Sequence, residues 1–397
     1  MKILFILGTH NPRPGAAWER IKSFIDKWTK KNHRIEILGT FSIMGHERPG
    51  YFKRGKYRFL NFIPYISRNK QRRIPVAIFL NIIFSYISAL ASILIYRPKV
   101  AIISMPTGDV GLGSILACMC VKKKFIIDYR DEWEDYGMSN TRLKIMRSFY
   151  ARLKRFATVF YAKSVLIVTV TKGVKQSLLK RGLRNVEVVT NGADLNIYKP
   201  TSSTERFPEF TIFYSGLVGK YYRIDVVIKA LKSMLESGYT GAYLKFAGWG
   251  DIKSTIDLAS ELKISDKVEY LGIINDKHKL SKLIARSTVG VIPFDDNPLW
   301  KNALPAKFFE YCACGIPVIA SAQDNSILAN HINNYNIGKQ VTPLDADSMS
   351  EAFTQLYMDP DKIIEFGTNA RTLIENEYDR EKNAVYFLEL LIKSLEN

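Results

Sequence analysis

The chain has 397 residues, of which 47% are apolar. That length suits two domains, each with a full hydrophobic core, and the composition excludes a disordered chain. Lys and Arg number 57 against 38 Asp and Glu, giving a net charge of +19, which indicates an anionic partner: nucleic acid, a phosphorylated substrate or an acidic lipid.

The N-terminal half alternates short apolar runs with helical patterns. The apolar run at residues 3–7 is too short for a signal peptide and predicts a first buried strand, followed by a loop and a helix over residues 18–31. We therefore expect a cytoplasmic protein. Further β-rich runs occupy residues 35–38, 100–104, 124–128 and 165–169. Continuous apolar strands separated by helices predict a parallel sheet covered on both faces.

Two unusual segments interrupt this alternation. Residues 48–73 contain nine Lys or Arg and six Tyr or Phe, without Asp or Glu. Residues 74–96 are 23 positions without a charge, long enough to span a bilayer. Because Asn81, Ser85 and Ser92 interrupt the second segment, it predicts a buried or membrane-dipping helix rather than a span. Together the segments predict peripheral attachment to an anionic membrane surface, at the inner face of the cell membrane.

The C-terminal half repeats the alternation after a polar stretch at residues 191–210, which predicts a linker. Helices are predicted over residues 223–237 and 307–314, and strands at residues 211–214, 243–247, 268–271, 289–292 and 317–320. We therefore predict an α/β fold of two doubly wound Rossmann-like domains facing a cleft, with ligands at the carboxyl ends of the strands. The domains are residues 1–198 and 199–380, and a C-terminal helix at about 380–397 is expected to pack back on the first.

The sequence favours neither a metal nor a cofactor. Two Cys-x-Cys pairs lie in apolar runs, an arrangement typical of buried core residues rather than structural zinc: Cys118 and Cys120, and Cys312 and Cys314. Asp345 and Asp347 lie in a predicted turn, far along the chain from the other motifs. We therefore expect no metal ligands.

Six segments carry a resemblance to a known family: TKGVKQSLLKRG, VVTNGADLNIYKP, YSGLVGKYYRIDVVIKAL, LKFAGWGD, VEYLGIINDKHKLSKLIARSTVGVIPF and LPAKFFEYCACGIPVIAS. In this order they resemble a family 4 retaining GT-B glycosyltransferase of the bacterial surface-polysaccharide type, most strongly over residues 165–321. The resemblance implies an enzyme that transfers a sugar from a nucleotide sugar, with UDP-N-acetylhexosamine as the expected donor. It also implies retention of anomeric configuration, and a lipid-linked (polyprenyl diphosphate) or saccharide acceptor.

The last of these segments resembles the family's nucleotide-binding helix. By resemblance Glu310 binds the ribose hydroxyls, since a carboxylate accepts two hydrogen bonds from a diol. The family's other glutamate would fall on Asn302, so the paired-glutamate motif is incomplete. Lys307 and the backbone N–H groups around Ala303 and Leu304 are candidates for the diphosphate. The alternatives are an exposed structural Glu310 and a solvated first-turn Lys307.

The segment YSGLVGKYYR resembles the family's phosphate-binding turn, in which Gly216 and Gly219 let the backbone approach a ligand. The family's Arg and Lys positions hold Leu217 and Tyr222. We expect Lys220, and after it Arg223, to neutralise the leaving diphosphate as catalytic cations. By resemblance, backbone groups at three further residues hold the nucleotide base: Gly248, Gly272 and Ile273.

Candidates in the first domain follow its predicted strands. The loop before the first helix resembles the family's acceptor-side glycine loop, with Gly15, Ala16 and His10 as its residues. Arg130 and Asp131 follow the strand KFIID, and an Arg-Asp pair here resembles the branch that transfers aminosugars. They are candidate catalytic residues, and the alternative is a structural ion pair at a strand end.

Two other functions remain open. The charge and the basic-aromatic run are compatible with a nucleic-acid-binding protein, but no nucleic-acid-binding module is visible, so we expect no nucleic acid partner. A nucleotide-sugar epimerase of the same fold would need acidic and histidine residues around the sugar, where the sequence offers little beyond Asp131 and His10.

Overall fold

The computed structural model describes residues 1–12, 16–43, 45–67, 74–105, 107–219 and 221–396. The chain forms two compact units. Unit 1 comprises Met1–Thr190 and the C-terminal residues from Glu381, and unit 2 comprises Asn191–Arg380. Each unit is a doubly wound α/β domain on a sheet of its own, which confirms the predicted fold class.

The sheet of unit 1 consists of β1 (Lys2–Leu7), β2 (Arg34–Ser42), β3 (Gly50–Arg54), β4 (Tyr57–Tyr65), β5 (Val100–Met105), β6 (Phe125–Tyr129), β7 (Leu166–Thr169) and β8 (Val186–Val188). Their order is β3-β4-β2-β1-β5-β6-β7-β8. The pairings are parallel apart from the β3–β4 hairpin. Strands β5 and β6 are buried throughout, as continuous apolar runs in a parallel sheet require.

Helices cover both faces of this sheet. They are α1 (Ala16–Lys30), α2 (Ile74–Tyr96), α3 (Gly108–Cys120), α4 (Trp133–Ser139), α5 (Lys144–Tyr161), α6 (Lys172–Lys180) and α14 (Arg380–Glu396). Residues of α2, α3, α5 and α6 share one core with the sheet, and residues of α1 and α14 form the core on its other face. The C-terminal helix α14 is fixed there because Trp28 donates to the Ala384 carbonyl at 2.7 Å and makes an edge-on contact with the Phe387 ring.

The basic and aromatic run is part of the sheet, which its composition did not predict. It forms the hairpin of β3 and β4, and β4 pairs in parallel with β2. Phe59 is fully buried. Two of the cations are paired with carboxylates, Lys56 with Asp26 at 3.1 Å and Arg58 with Glu36 at 3.8 Å. Much of this segment therefore stabilises unit 1 itself.

The uncharged segment forms the single long helix α2, which packs against α3 and β4. By length and composition Pro75–Tyr96 is apolar enough to cross a membrane, and 28% of its most apolar window is buried. Its polar residues Asn81 and Ser85 are fully buried. The helix is thus attached to the core along one side, as the prediction of a buried or membrane-dipping helix requires.

Unit 2 repeats the doubly wound arrangement. Its strands are β9 (Phe210–Val218), β10 (Ala242–Gly250), β11 (Val268–Tyr270), β12 (Val289–Pro293), β13 (Val318–Ser321) and β14 (Gly338–Val341), in the order β11-β10-β9-β12-β13-β14. These pairings are parallel. The helices are α7 (Ile224–Glu236), α8 (Ile252–Glu261), α9 (Lys277–Arg286), α10 (Ala306–Ala313), α11 (Ile327–Asn334), α12 (Ala346–Met358) and α13 (Pro360–Glu377).

The unit boundary lies earlier than the sequence indicated. The predicted domains meet at residues 198 and 199, whereas the observed units divide between Thr190 and Asn191. The difference arises because residues 191–198, expected to begin a linker, are held within unit 2. Ala193 donates to the Tyr378 carbonyl at 2.9 Å, and the buried Tyr198 packs in the core of this unit.

Candidate functional site

Three of the predicted glycines lie side by side at the carboxyl edge of the unit 2 sheet. Gly216 on β9 is the register partner of Gly248 on β10. Gly248 in turn donates its N–H to the carbonyl of Gly272, which follows β11, at 3.0 Å. The carboxyl edge of a doubly wound sheet is where such folds bind ligands. The structure therefore brings together predicted residues that are far apart in sequence.

Gly248 is required by the close approach of two backbones. Its φ is +144°, a conformation that side chains rarely adopt, and a Cβ here would lie 1.8 Å from the Gly216 carbonyl oxygen. The strands thus remain paired up to Val218 and Gly250, further than the sequence predicted. The Gly248 carbonyl accepts a hydrogen bond from the Tyr270 hydroxyl at 2.8 Å, so the backbone at this edge is held in place.

Helix α10 begins beside this edge. Pro305 is its N-cap and supplies no side-chain acceptor, and the first turn of any helix leaves N–H groups without an intrahelical partner. Of the two preceding residues, Ala303 donates to the Trp300 carbonyl at 3.1 Å and Leu304 packs in the core. Such a helix start favours an anion.

Lys307 is a buried cation in the first turn of α10. Its residue is 6% exposed, and among the described residues its Nζ has no hydrogen-bond partner. The ammonium lies over two aromatic rings, 3.5 Å from the Tyr222 centroid and 4.1 Å from the Tyr214 centroid. Burial lowers the pKa of Lys307 well below its usual range, against an opposing effect of Glu310. The alternative of a solvated first-turn lysine is wrong.

The Lys307 ammonium reaches the glycine edge. A Cβ built on Gly216 would lie 3.4 Å from Nζ, so the cation stands beside the backbone that the sequence marked as phosphate-binding.

Glu310 lies three residues further along α10, so it shares a side of the helix with Lys307. Its residue is 9% exposed, which rules out the exposed structural glutamate that was the alternative. Oε1 accepts a hydrogen bond from the Tyr198 hydroxyl at 2.8 Å and lies 3.9 Å from Lys277 Nζ. Burial, and secondly the Glu310 charge, raise the pKa of Tyr198. The hydroxyl therefore stays protonated and holds the carboxylate in place.

The phosphate-binding turn differs from its prediction. Lys220, the first choice for a catalytic cation, lies outside the described residues. The second choice, Arg223, precedes α7 and forms two hydrogen bonds with Asp225, at 2.8 and 2.6 Å, so its charge is already compensated. Gly219 has a φ of +143° and forms a bridge to Tyr222. Within the described part of unit 2, Lys307 is a cation that contacts this turn, through the Tyr222 ring and beside Gly216.

Sequence reasoning missed the residues that support these groups. Tyr222 was noted only as a replacement for a family cation, yet its ring carries the Lys307 ammonium. Tyr198 and Lys277 were not considered, because their contacts to Glu310 join distant parts of the chain. Trp249, 55% exposed beside Gly248, and the predicted Ile273, 58% exposed, present apolar surface at the same edge. For Trp249, the signal available in the sequence was its position between two glycines.

The candidates of unit 1 follow strands β1 and β6, which β5 separates in the sheet. His10 follows β1, and its Nδ1 is 3.0 Å from the Thr40 carbonyl oxygen, with Glu47 at 3.9 Å. The buried Asn61 donates to the Asn11 carbonyl at 2.7 Å and accepts from its N–H at 3.1 Å. Gly15 lies outside the described residues, and Ala16 begins α1.

Arg130 and Asp131 follow β6 but contact different groups. Arg130 Nε donates to the Met105 carbonyl at 3.1 Å and lies 3.9 Å from Asp128, whose carboxylate is paired with the buried Arg20 at 3.0 Å. Asp131 is exposed, and its carbonyl accepts from Trp133. Among the carboxylates, Arg130 therefore contacts Asp128 most closely, and its interaction with Asp131 is electrostatic, without a hydrogen bond between these two described side chains.

The described residues contain no cluster of three or more His, Cys, Asp or Glu that could hold a metal ion. Asp345 caps α12 by accepting from the N–H groups of Asp347 and Ser348, at 3.0 Å each. Its role there is that of an N-cap.

Comparison with known proteins agrees with this architecture. Residues 200–373, within unit 2, match the family model described as glycosyl transferases group 1. The whole fold resembles sucrose-phosphate synthase from Thermosynechococcus elongatus, with a TM-score of 0.74 and 16% identity over 99% of this chain and 98% of that one. The chain has the GT-B fold.

Two further structures support this result. The Anabaena protein Alr3699/HepE, solved with UDP, matches with a TM-score of 0.73 and 15% identity over 99% of this chain and 100% of that one. WaaG, a glycosyltransferase involved in lipopolysaccharide biosynthesis, matches with a TM-score of 0.65 and 14% identity over 97% and 99%. Among curated proteins, none is significantly similar in sequence to this chain. The match to the group 1 model over residues 200–373 and these structural neighbours agree on the GT-B fold.

Proposed function

We propose that this protein transfers a sugar from a nucleotide sugar to a lipid-linked or saccharide acceptor, with retention of anomeric configuration. The observation that carries the proposal is the pair formed by Lys307 and Glu310 on α10. Both side chains are buried, the Lys307 ammonium has no hydrogen-bond partner among the described residues, and it stands beside Gly216 at the edge of the unit 2 sheet. The cation suits the diphosphate of a nucleotide sugar, and the fixed carboxylate suits the hydroxyls of its ribose.

The chemistry of each group fits one part of the donor. The Lys307 ammonium and the first-turn N–H groups of α10 would bind the diphosphate, because both favour negative charge. Glu310 uses Oε1 in both of its contacts, so Oε2 would accept from the ribose hydroxyls. Charge-assisted hydrogen bonds of this kind are roughly twice as strong as neutral ones.

The same cation would also act in the transfer step. Breakage of the glycosidic bond moves negative charge onto the leaving diphosphate, and a preorganised ammonium in a water-poor site stabilises that charge. The leaving diphosphate would then assist removal of the acceptor proton on the same face of the sugar, which gives retention. We propose that positive side chains and the helix start take the part that a metal ion plays elsewhere.

The names of structural neighbours support a nucleotide-sugar donor and a role in cell-surface glycans. The Anabaena protein was solved with UDP and with UDP-glucose, and WaaG is named for lipopolysaccharide biosynthesis. For this chain we propose a donor of the UDP-N-acetylhexosamine type, which the resemblance at Arg130 and Asp131 favours. We further propose that it works on the cytoplasmic face of the cell membrane, in surface polysaccharide biosynthesis.

The test begins with thermal stabilisation by a panel of nucleotide sugars, since a ligand that binds only the folded state raises the unfolding temperature. The donor that stabilises most is then incubated with and without polyprenyl diphosphate-sugar acceptors. We expect nucleotide release that depends on the acceptor, with the sugar found on the lipid. Conversion of the nucleotide sugar to an isomer without any acceptor would establish an epimerase instead.

A further inference from the structure

The outer side of α2 is an apolar surface that the described residues of unit 1 leave uncovered. Its inner side packs against α3 and β4. Five large apolar residues on the helix are between 57% and 83% exposed: Val76, Phe79, Ile87, Leu94 and Ile95. Residues 76, 79, 87 and 94 follow helical spacing and therefore share one side. Single exposed apolar residues are ordinary, but a continuous apolar side marks an interaction surface.

The polar residues of α2 face the protein. Asn81 is fully buried, accepts from the Ile66 N–H at 2.9 Å and donates to Asp109 at 2.8 Å. Ser85, also buried, donates to the Asn81 carbonyl at 2.7 Å. A surface helix of a soluble protein places polar residues outward and apolar residues inward. Helix α2 is instead apolar on both sides, since Ile78, Ala89 and Ile93 lie in the core, and its outer side is therefore suited to an apolar medium.

Helix α5 supplies cations and further apolar groups on the same face of the sheet. Both α2 and α5 pack against α3, which lies between them and is almost entirely buried. The outer side of α5 carries Arg152 and Arg155, which are exposed. Its exposed apolar residues are Ile145, Phe156 and Val159, at 76%, 55% and 61%. Cations mixed with large apolar side chains are typical of helices that lie in a lipid interface.

The charge of the surrounding sequence selects the occupant. Residues 142–184, which include α5, contain twelve Lys or Arg and no Asp or Glu. A second copy of the chain would bring two such cationic surfaces together, which like-charge repulsion opposes. An anionic bilayer complements both features, because it offers negative headgroups above an apolar interior.

We infer that the outer sides of α2 and α5, here called the apolar–basic face, dock on an anionic lipid bilayer. Helix α2 lies along the interface and does not cross it, because its inner side is fixed to α3 and its Asn81 is bonded to Ile66 and Asp109. The inference deepens the membrane part of the proposed function by naming the surface and the lipid chemistry. It assigns the contact to α2 and α5 rather than to the β3–β4 hairpin, whose cations are partly paired.

The test uses the full chain and vesicles of phosphatidylcholine with or without phosphatidylglycerol. The variant Phe79→Gln/Ile87→Gln/Leu94→Gln replaces three exposed residues of the apolar–basic face. Ile256→Gln/Ile364→Gln is the matched control, since these unit 2 residues are 46% and 62% exposed. We expect wild type and control to sediment with the anionic vesicles and to be released by salt. The triple variant should bind at least about tenfold more weakly.

A charge variant separates the two contributions. Arg152→Gln/Arg155→Gln should weaken binding and flatten its dependence on salt, whereas the triple variant keeps the salt dependence of its residual binding. Phe79→Trp should show emission shifted to shorter wavelength on addition of anionic vesicles, measured against wild type. Unfolding temperature and nucleotide-sugar affinity should be unchanged in these variants, since the altered residues are exposed in unit 1.

Three results would overturn the inference: no binding of wild type to anionic vesicles, equal binding of the triple variant and wild type, or a dimer of wild type that the triple variant dissolves without any vesicle binding. Loss of nucleotide-sugar affinity in Lys307 or Glu310 variants tests the proposed function separately. A failure of the lipid experiment therefore leaves the proposed transfer reaction standing, and the reverse also holds.

Discussion

Replacement of Lys307 by Met should stabilise the fold while it weakens donor binding. The wild-type ammonium is buried without a hydrogen-bond partner among the described residues and is held by two tyrosine rings. Each desolvated cation–π contact contributes about 2 kcal/mol, and burial of an ammonium without a hydrogen-bond partner costs several kcal/mol, which we expect these contacts and Glu310 to offset only in part. Met fills a similar volume without the charge, so we expect the free energy of unfolding to rise by about 1–3 kcal/mol.

The effect on the donor has the opposite sign. A hydrogen bond to a charged group contributes about 1.5–3 kcal/mol, and the diphosphate would lose such a bond to Lys307. We therefore expect the dissociation constant for the nucleotide sugar to rise by about 10–150-fold. Higher stability together with weaker binding is the signature of a residue retained for function at the expense of the fold.

The pH dependence follows from the lowered pKa of Lys307. Between that pKa and the ordinary value of 10.5, the unfolded chain binds a proton that the folded protein has released. The free energy of unfolding therefore rises with pH across this window, and Lys307→Met removes that contribution. A bound diphosphate favours the ammonium, so donor binding in the same window should take up a proton.

The assay combines denaturant unfolding with calorimetry in two buffers that differ in ionisation enthalpy. Proton uptake appears as a difference between the two apparent binding enthalpies, and it should vanish in Lys307→Met. The control is Lys282→Met, which removes an exposed lysine of α9 and should change neither quantity. Lower stability of Lys307→Met combined with wild-type donor affinity would refute the reasoning, because Lys307 would then be a structural residue.

Three further predictions concern the same unit and the reaction. Glu310→Gln should raise the donor dissociation constant about tenfold by calorimetry, through loss of charge-assisted bonds, while Glu261→Gln on the exposed side of α8 should not. Gly248→Ala should lower the free energy of unfolding by at least about 3 kcal/mol, because its Cβ meets the Gly216 carbonyl. Gly238 has a φ of +94° but open space around it, so Gly238→Ala should lower the free energy of unfolding by only about 1 kcal/mol. NMR of the product should show retention and activity should survive EDTA; inversion, or rescue of an EDTA-treated enzyme by magnesium, would contradict the mechanism.

The fold was predictable because both units repeat one local pattern. Apolar runs such as β5 and β6 are buried on both faces, so their composition alone indicates a parallel sheet. The β3–β4 hairpin escaped prediction because β3 has two adjacent aromatic residues, Tyr51 and Phe52, followed by two adjacent basic ones, Lys53 and Arg54, which obscures the period of two. Helix α2 has no charged residues, so its sequence shows no alternation of polar and apolar sides. The structure identifies its inner side through the hydrogen bonds of Asn81 and Ser85.

The site was predictable residue by residue but not as an arrangement. The position of Glu310 follows from a short motif, whereas its partner Tyr198 lies 112 residues earlier in the chain. Lys307 was left open between two roles because its surroundings come from β9 and the turn after it, which no local pattern joins to α10. Contacts of this kind depend on how the strands and helices of unit 2 pack together.

The residue at position 222 and the Lys307 ammonium are in direct contact, and this contact explains why a tyrosine suits the turn. At the two positions where the family that the sequence resembles has an Arg and a Lys, this chain has Leu217 and Tyr222. The Tyr222 ring centroid lies 3.5 Å from Lys307 Nζ. A lysine side chain at position 222 would bring a second ammonium close to the first, in a place where burial already disfavours one charge. An aromatic ring there attracts the ammonium instead. Tyr222 and Lys307 are therefore complementary. The turn has a tyrosine where the resembled family has a cation, and the ring of that tyrosine stabilises the Lys307 ammonium of α10.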